Sequence, residues 1–314
     1  MTKKHCLIFG GGGFIGSHLA EKLVAKGHVV TVFSRRPVFS YPNLSTIWKK
    51  IKFIQGDFND LKSVDAILQP GNIVFDLVSS SVPFSSIHSP FSEITTHILA
   101  HTQLIQCACK KGVGKIIYFS SGGGVYGDKS YFPIAETAST IPASPHAISK
   151  LTLEYFLNYF CKVHDTPFLI YRLGNPYGPR QTPGIGFGVI PTLFSHVLQN
   201  KNPILFNQGN SVRDFIFIED LIDAILKSFS KKSPSSLYNL GSGEGVSIKS
   251  LWQDIKKVTK TDLQPIFKPK RPIDVNATVL DIEKFKEDFH WQPKTKIITG
   301  LKKTWKAYKK HHAT

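Results

Sequence analysis

Three glycines near the N-terminus have the spacing of a turn that contacts a phosphate group. Gly10, Gly13 and Gly16 follow the apolar run 6–9 in a Gly-x-x-Gly-x-x-Gly pattern. Glycine allows backbone angles that a Cβ atom would forbid, so a pyrophosphate can approach the main chain closely. The helix predicted after the turn adds unpaired N–H groups and the positive end of its dipole. This pattern therefore predicts a dinucleotide-binding site.

The residues after the second predicted strand indicate which dinucleotide binds. Enzymes that use NAD commonly place an acidic residue here to accept the ribose hydroxyls. This chain has Ser34, Arg35 and Arg36 instead. Two guanidinium groups and a hydroxyl can hold a 2′-phosphate through charge-assisted hydrogen bonds. The segment therefore favours NADP over NAD, with the alternative that one arginine only stacks on the adenine of NAD.

The elements that must position these residues alternate between strand and helix. Apolar runs predict strands, and apolar residues at helical spacing predict helices around Leu19 and Leu23 and in two later segments. The strands fall at 6–9, 29–33, 51–58, 73–78, 115–121 and 167–173, and the later helices at 93–109 and 145–156. This alternation predicts an α/β fold with a doubly wound parallel sheet. Ligands of such sheets bind at the carboxyl ends of the strands.

The character of the sequence changes at Gly174. Loops rich in glycine and proline reach to about residue 191, and short strands return near 213–220 and 237–241. We therefore expect a Rossmann domain with a smaller C-terminal α/β lobe that binds substrate. The dinucleotide-binding domain is predicted to comprise 1–175 with 212–245, and the substrate-binding lobe 176–211 with 246–314.

Composition restricts the class of protein further. The chain has 314 residues, 41% hydrophobic and 19% charged, and no apolar run approaches the ~20 residues of a membrane helix. We expect no signal peptide, and the four cysteines lack metal-ligand spacing, so a cytoplasmic protein without a metal is predicted. The net charge of +17 indicates either a solvated lysine surface or attraction to an anionic substrate, membrane or partner. No nucleic-acid-binding module is present in the sequence pattern, so nucleic acid is not an expected partner.

Further motifs make the chain similar to a known superfamily. Gly56-Asp57, Phe119-Ser-Ser-x-x-x-Val-Tyr-Gly127 and Ser-Pro-x-x-x-x-Lys150 follow the glycine turn in order. Arg172-x-x-Asn-Pro-Tyr-Gly-Pro-Arg180 and Arg213-Asp-Phe-Ile come next. This order resembles the extended short-chain dehydrogenase/reductase superfamily, and specifically nucleotide-sugar epimerases and dehydratases of the UDP-glucose 4-epimerase type.

The resemblance implies an NAD(P)-dependent enzyme of surface polysaccharide synthesis that acts on a UDP-hexose by transient oxidation at the sugar ring. In the family, a tyrosine takes a proton from a sugar hydroxyl while the nicotinamide takes a hydride from carbon. A lysine one helical turn later contacts the cofactor and lowers the pKa of the tyrosine. The alternatives are an NADP-dependent nucleotide keto-sugar reductase and a nucleotide-sugar-binding relative with impaired catalysis.

Two departures from the family pattern affect the catalytic positions. His146 occupies the tyrosine position, in register with Lys150, and glycines at 122–124 fill the slot of the usual serine or threonine. His146 is either an alternative base, the mark of a non-catalytic relative, or a substitution made to trap a complex. An imidazole accepts a proton readily near neutral pH, although the Lys150 cation would lower its pKa. The predicted catalytic residues are His146, Lys150 and Ser121.

The resemblance also assigns binding residues and an assembly. Relatives often dimerise through a four-helix bundle, so the helices Glu93–Cys109 and Lys150–Val163 predict a homodimer. The cofactor-binding residues that it implies are Gly10, Gly13, Phe14, Ile15, Gly16, Ser34, Arg35, Arg36, Asp57, Phe58, Leu77, Val78, Ser79, Ser120, Lys150 and Pro176. The substrate-binding residues are Gly122, Gly123, Asn175, Val189, Ile190, Ile204, Phe206, Arg213, Arg271 and Asp274.

Overall fold

The structure, a computed structural model, describes residues 3–79, 81, 83–183, 188–233, 236–271 and 274–312. Its centre is a sheet of seven strands in the order β10-β6-β5-β4-β1-β2-β3. All neighbouring strands of this sheet are parallel. The strands are β1 (His5–Phe9), β2 (Val29–Ser34), β3 (Lys52–Gln55), β4 (Ile73–Asp76), β5 (Lys115–Ser121), β6 (Phe168–Leu173) and β10 (Leu237–Leu240). The predicted α/β doubly wound fold is confirmed.

Helices cover both faces of the sheet, which explains why its strands read as continuous apolar runs. Along β1, Cys6 and Ile8 pack on one face, while Leu7 and Phe9 pack on the other. The first face carries α1 (Phe14–Ala25) and α9 (Ile218–Ser228). The second carries α2 (Leu61–Ile67), α5 (Leu99–Lys110) and α7 (Pro145–Val163). β2 and β3 lie on one side of β1 in the sheet, whereas β4 and the later strands lie on its other side. Because the strand order reverses at this point, a crevice opens between β1 and β4 at their carboxyl ends.

The segment before α5 is less regular than the sequence pattern predicts. Short helices α3 (Pro83–His88) and α4 (Pro90–Ser92) lead into a π-helical segment, Glu93–Ile98, that continues into α5. The single helix predicted from residue 93 therefore begins with a wider turn. Such π-helical turns are rare and occur frequently at functional sites.

The remaining elements form a smaller layer beside the carboxyl edge of the sheet. A three-stranded sheet has the order β11-β9-β7, and a two-stranded sheet pairs β12 with β8. These strands are β7 (Asn175–Tyr177), β8 (Ile204–Phe206), β9 (Val212–Phe217), β11 (Gly245–Ser247) and β12 (Ile266–Lys268). The helices are α6 (Gly122–Val125), α8 (Val189–Leu198), α10 (Ile248–Thr259), α11 (Glu283–Phe289) and α12 (Ile297–His312).

The residues that the structure describes include neither a membrane-spanning helix nor a metal-binding cluster. Within the described ranges, every helix is too short or too polar to cross a membrane. In the same ranges, His, Cys, Asp and Glu side chains nowhere gather as a set that could hold a metal ion.

Candidate functional site

The glycine turn lies in the crevice between β1 and β4. Gly10 has a φ of +79°, and a Cβ atom on it would lie 3.0 Å from the carbonyl carbon of Leu77. Gly13 is the N-cap of α1, and a Cβ atom on Gly16 would overlap the Gly10 carbonyl. The main chain at Gly10 and at Gly13, the helix N-cap, therefore lines the crevice with no side chain of its own. The turn fits the pyrophosphate of a dinucleotide.

A cavity of about 290 Å³ opens from this turn along the carboxyl ends of β1 to β4. The aromatic ring of Phe58 and the loop after β4 form its walls. It brings together ten of the predicted cofactor-binding residues: Gly10, Gly13, Ser34, Arg35, Arg36, Asp57, Phe58, Leu77, Val78 and Ser79. The cavity also has lining residues that the sequence reasoning missed, namely Tyr41, Thr96, His97 and His101.

Arg35 and Arg36 lie at the mouth of this cavity and are exposed. In the described part of the chain, neither guanidinium group forms an ion pair. The backbone N–H of Arg36 donates to the hydroxyl of Tyr41 at 3.2 Å, which anchors the loop. Ser34 is buried beside them. Both guanidinium groups are therefore available to an anionic group of a ligand.

His146 lies in the first turn of α7. Ser144 caps this helix by accepting from the N–H of Ala147, and Pro145 occupies the first helical position. The Nδ1 atom of His146 lies 2.9 Å from Oγ of Ser81, and its backbone N–H donates to Oγ of Ser86. The imidazole is 8% exposed. Burial, and secondarily the Lys150 cation, lower the pKa of His146 to about 3, so the ring is neutral at neutral pH.

Lys150 lies one turn further along α7 and is also buried. Its Nζ donates to the carbonyl of Phe119 at 3.0 Å and lies 5.0 Å from the centroid of the Tyr118 ring. Burial lowers its pKa to about 8, although the carboxylates of Asp76, Glu93 and Glu154 oppose this shift. The amine is therefore mainly protonated at neutral pH, and its charge is buried.

Two predicted cofactor contacts have other partners or positions in this structure. The hydroxyl of Ser120 donates to Glu154 at 2.5 Å, and Glu154 also forms a bidentate pair with Arg172. Pro176 lies in β7 and lines a separate cavity of about 170 Å³, together with Ile190. Phe14, Ile15 and Gly16 are in α1, where they follow the glycine turn.

A second cavity, of about 320 Å³, lies on the other side of β5. It reaches Ser144, the N-cap of the helix that carries His146. Residues that the sequence reasoning missed, including Phe84 and Ser211, also line it. The predicted residues that it brings together are Ser121, Gly123, Asn175, Val189, Ile204, Phe206, Arg213, Arg271 and Asp274.

The walls of the second cavity combine positive charge with an aromatic face. Arg271 forms a bidentate pair with Asp274, at 2.8 and 2.7 Å, and its guanidinium lies 4.4 Å from the centroid of the Phe206 ring. Arg213 donates to the carbonyl of Val212, and burial lowers its pKa. Arginines are well suited to bind the oxygens of a diphosphate, and the Phe206 face can stack on a planar ring.

Gly122 and Ile190 were predicted to contact substrate, but neither lines this cavity. A Cβ atom on Gly122 would lie 2.7 Å from the side chain of Leu280, and Ile190 is buried in the core. The other two glycines of this turn differ from Gly122. A Cβ atom on Gly124 would meet Ala147 at 2.9 Å, whereas one on Gly123 would meet nothing within 4 Å.

The fold and the two cavities define an α/β protein of the dinucleotide-binding type with an adjoining cavity lined by two arginines. The chain belongs to the NAD dependent epimerase/dehydratase family, whose model matches residues 6–241. It is 30% identical to the UDP-glucose 4-epimerase of Mycolicibacterium smegmatis, over 95% of this chain and 96% of that one.

Solved structures show the same similarity. A UDP-glucose 4-epimerase from Thermotoga maritima, solved with UDP-glucose, has a TM-score of 0.91 and 31% identity. The similarity covers 98% of this chain and 99% of that one. A Thermus thermophilus UDP-glucose 4-epimerase in complex with NAD has a TM-score of 0.90 and 26% identity, over 97% of this chain and 99% of that one.

Proposed function

We propose that this protein is a UDP-hexose epimerase that oxidises the sugar ring transiently and reduces it again. The observation that carries this proposal is the position of α7 relative to the two cavities. The second cavity, with Arg213 and Arg271, reaches the N-cap of the helix on which His146 and Lys150 lie. Substrate bound there would place its sugar near these two side chains, while its diphosphate contacts the arginines.

The bound nicotinamide would supply hydride transfer with the sugar carbon, and the chain's own residues would manage the proton. His146 is neutral, so it can accept a proton from a sugar hydroxyl and return it. When Nδ1 carries the ring hydrogen and donates to Oγ of Ser81, Nε2 is the atom that can accept the proton. Ser121 lines the same cavity and would orient the hydroxyl. Lys150 would hold the cofactor through its ammonium group.

The cofactor of this proposal is NADP, with NAD as the alternative. Arg35 and Arg36 are exposed at the mouth of the cofactor cavity, and buried Ser34 lies beside them. A 2′-phosphate would neutralise this pair of cations and accept several charge-assisted hydrogen bonds. NAD carries only a neutral hydroxyl at that position, which cannot neutralise the two cations.

A second candidate function is a protein that binds nucleotide sugar without turnover. The observation that favours it is the burial of His146 beside the Lys150 cation, which lowers the pKa of the imidazole to about 3. A base of that pKa has little driving force to take a proton from a sugar hydroxyl. The two candidates bind the same ligands and differ only in whether His146 can complete the proton transfer.

The chain divides, in this proposal, into a dinucleotide-binding part, 1–175 with 212–245, and a nucleotide-sugar-binding part, 176–211 with 246–314. We also propose a homodimer. One face of α7 carries Ile148, Tyr155, Tyr159 and Val163, which are all more than half exposed, and α5, which packs against α7, carries the exposed Leu99. Apolar side chains in a stripe on two packed helices favour burial against a second copy.

The experiment that tests the function is an assay with a panel of UDP-sugars, in the presence of NAD or NADP, that follows the sugar product by chromatography. Interconversion of a pair of UDP-hexoses epimeric at one carbon supports the proposal. Tight binding of UDP and dinucleotide without conversion of any sugar would favour the second candidate. Net consumption of reduced cofactor would indicate a reductase instead.

A further inference from the structure

A group of buried polar atoms without partners lies behind Lys150, between β4, β5, α7 and the π-helical segment. Buried donors and acceptors are almost always paired, by protein or by ordered water. In the described part of the chain, the atoms of this group without a protein partner are Oδ1 of Asp76, Oε1 of Glu93, both ring nitrogens of His97, Nε2 of His101 and the Tyr118 hydroxyl. Six such atoms, on five buried side chains, indicate that the protein encloses something polar here.

Distances between these side chains show that they form one group. Nδ1 of His101 lies 2.5 Å from Oδ2 of Asp76, and both side chains are about 1% exposed or less. The rings of His101 and His97 are 4.2 Å apart between centroids, and the ring of His146 is 6.3 Å from that of His97. The imidazoles thus form a row that begins at the Asp76 carboxylate and ends at His146.

The π-helical segment produces this arrangement. Glu93 and His97 are four residues apart in it, and both are buried. Glu93 accepts from the hydroxyl of Ser149 at 2.6 Å, which ties the segment to α7. His97 and His101 meanwhile line the inner end of the cofactor cavity. The row of imidazoles is therefore the floor of that cavity.

Water is the occupant that matches these atoms. A buried water makes about three hydrogen bonds to otherwise unpaired polar groups. A neutral imidazole offers one donor and one acceptor nitrogen, so His97 can join two waters to each other. Burial and the cations near it keep the pKa of His97 well below its ordinary value, so that ring stays neutral.

We propose that Asp76, Glu93, His97 and His101 enclose a chain of buried waters along which the proton accepted by His146 moves to His101. This inference rests on the proposed function, in which the proton leaves a sugar hydroxyl. The O–H bond of the sugar breaks as Nε2 of His146 takes the proton, and the Nδ1 proton of His146 is passed through the Ser81 hydroxyl and water to Nε2 of His101. The same route runs in reverse when the hydroxyl re-forms. No proton is gained or lost overall.

The charges around the row explain why the proton should not remain on His146. An imidazolium there would face the ammonium of Lys150 on the same helix. His101 instead faces Asp76 from β4, with the Tyr118 hydroxyl of β5 and the neutral His97 as its other polar neighbours. Because Nδ1 of His101 is bonded to the carboxylate, Nε2 is the atom that receives the proton. His97 and His101 act through His146 and are positioning residues.

Variants of the row test the proposal in the full-length protein with dinucleotide and UDP-sugar. We expect Asp76→Asn and His97→Phe to lower kcat by about 10²-fold, the lower end of the loss of acid–base catalysis, with unchanged affinity for UDP. The first variant removes the carboxylate that supports a proton on His101, and the second interrupts the route from His146. The dependence of kcat on the D₂O fraction of the solvent reports how many protons move in the rate-limiting step. This number should be several for the starting protein and one for His97→Phe. His164→Phe, at an exposed position beyond the end of α7, is the matched control and should change neither.

The experiment distinguishes failure of the water chain from failure of the epimerase function. If the starting protein interconverts a UDP-sugar and both variants retain its kcat and isotope dependence, the water chain is wrong and the epimerase function stands. If the starting protein converts no UDP-sugar, both ideas fail together. A high-resolution crystal structure adds a readout that is independent of turnover. Ordered water within hydrogen-bonding distance of His97 and of Nε2 of His101 supports the chain, and its absence overturns it whatever the kinetics show.

Discussion

Oγ of Ser81 lies 2.9 Å from Nδ1 of His146, so the loop after β4 sets the orientation of the imidazole on α7. The serine hydroxyl can donate to this nitrogen or accept from it. Nε2 can accept a proton only in the tautomer in which a protonated Nδ1 donates to Ser81; when the serine donates instead, Nε2 carries the ring hydrogen. A phenol at this position would have no second ring atom for Ser81 to hold.

Substitution of His146 tests its part in turnover. If Nε2 is the proton acceptor, His146→Phe should lower kcat by about 10²- to 10⁴-fold, the usual effect of losing a general base. The affinity for UDP, measured by calorimetry, should stay the same, because the arginines of the second cavity are untouched. His146→Tyr is the companion variant. Activity that is present only in His146→Tyr would contradict a catalytic role of the histidine.

Removal of the guanidinium groups at the mouth of the cofactor cavity should change the preference for the dinucleotide. We expect the double variant Arg35→Ala, Arg36→Ala to weaken the binding of NADP by about 1.5–3 kcal/mol, the contribution of hydrogen bonds to charged groups. The binding of NAD should weaken much less. Isothermal titration with both dinucleotides measures this. Lys26→Ala, an exposed cation at the end of α1, serves as the control. An equal loss for both dinucleotides would argue against a 2′-phosphate site.

The second cavity should bind a nucleoside diphosphate through Arg271. Asp274 and Phe206 hold the Arg271 guanidinium in position. Arg271→Ala removes this positioned cation. We expect UDP to bind about 10- to 100-fold more weakly, which corresponds to ~1.5–3 kcal/mol. Lys270→Ala, in the same loop, should bind UDP like the starting protein. Unchanged UDP affinity in Arg271→Ala would show that the diphosphate does not bind in this cavity.

The low pKa of His146 predicts a dependence of stability on pH. The pKa is about 6.5 in the unfolded chain and about 3 in the folded one. Between these values the unfolded state binds more protons, so the free energy of unfolding falls as the pH decreases from 6.5 toward 3. His146→Phe lacks this contribution. The difference in free energy of unfolding between the starting protein and His146→Phe should therefore shrink on acidification. Urea unfolding at pH 7, 5.5 and 4.5 measures the difference, and a constant deficit would contradict the burial of a neutral ring.

The apolar face of α7 should hold two copies together. Tyr155 and Tyr159 are 66% and 60% exposed, so a lysine at either position would place a charge inside the interface. Light scattering with Tyr159→Lys should give half the mass of the starting protein. Phe39→Lys, which changes an exposed ring elsewhere on the surface, should leave the mass unaltered. A starting protein that is already monomeric would refute the homodimer.

Local patterns in the sequence were sufficient for the fold, whereas most of the predicted residues around the two cavities came from the resemblance to the family. The glycine turn and the strand–helix alternation depend on neighbouring residues only, and the doubly wound sheet that they predict is what forms. The hydroxyl of Ser120 was predicted to contact the cofactor, but it donates to Glu154 on α7. That partner lies 34 residues away in the chain, and a local pattern contains no information about it.

The row of imidazoles was missed for a related reason. His97 and His101 are four residues apart on a helix, a spacing that is visible in the sequence and signals a shared face. Nothing in that spacing tells which face is buried. The π-helical turn before α5, together with Asp76 at the end of β4, determines that these side chains point inward.

The three glycines at 122–124 differ in what they would allow a protein engineer to build. A hydroxyl-bearing side chain at Gly122 would have to displace Leu280, and one at Gly124 would press against Ala147. Gly123 has open space above it and already borders the second cavity. Directed evolution toward a faster catalyst therefore has one unobstructed place in this turn to install a serine or threonine, and the scaffold need not be redesigned to receive it.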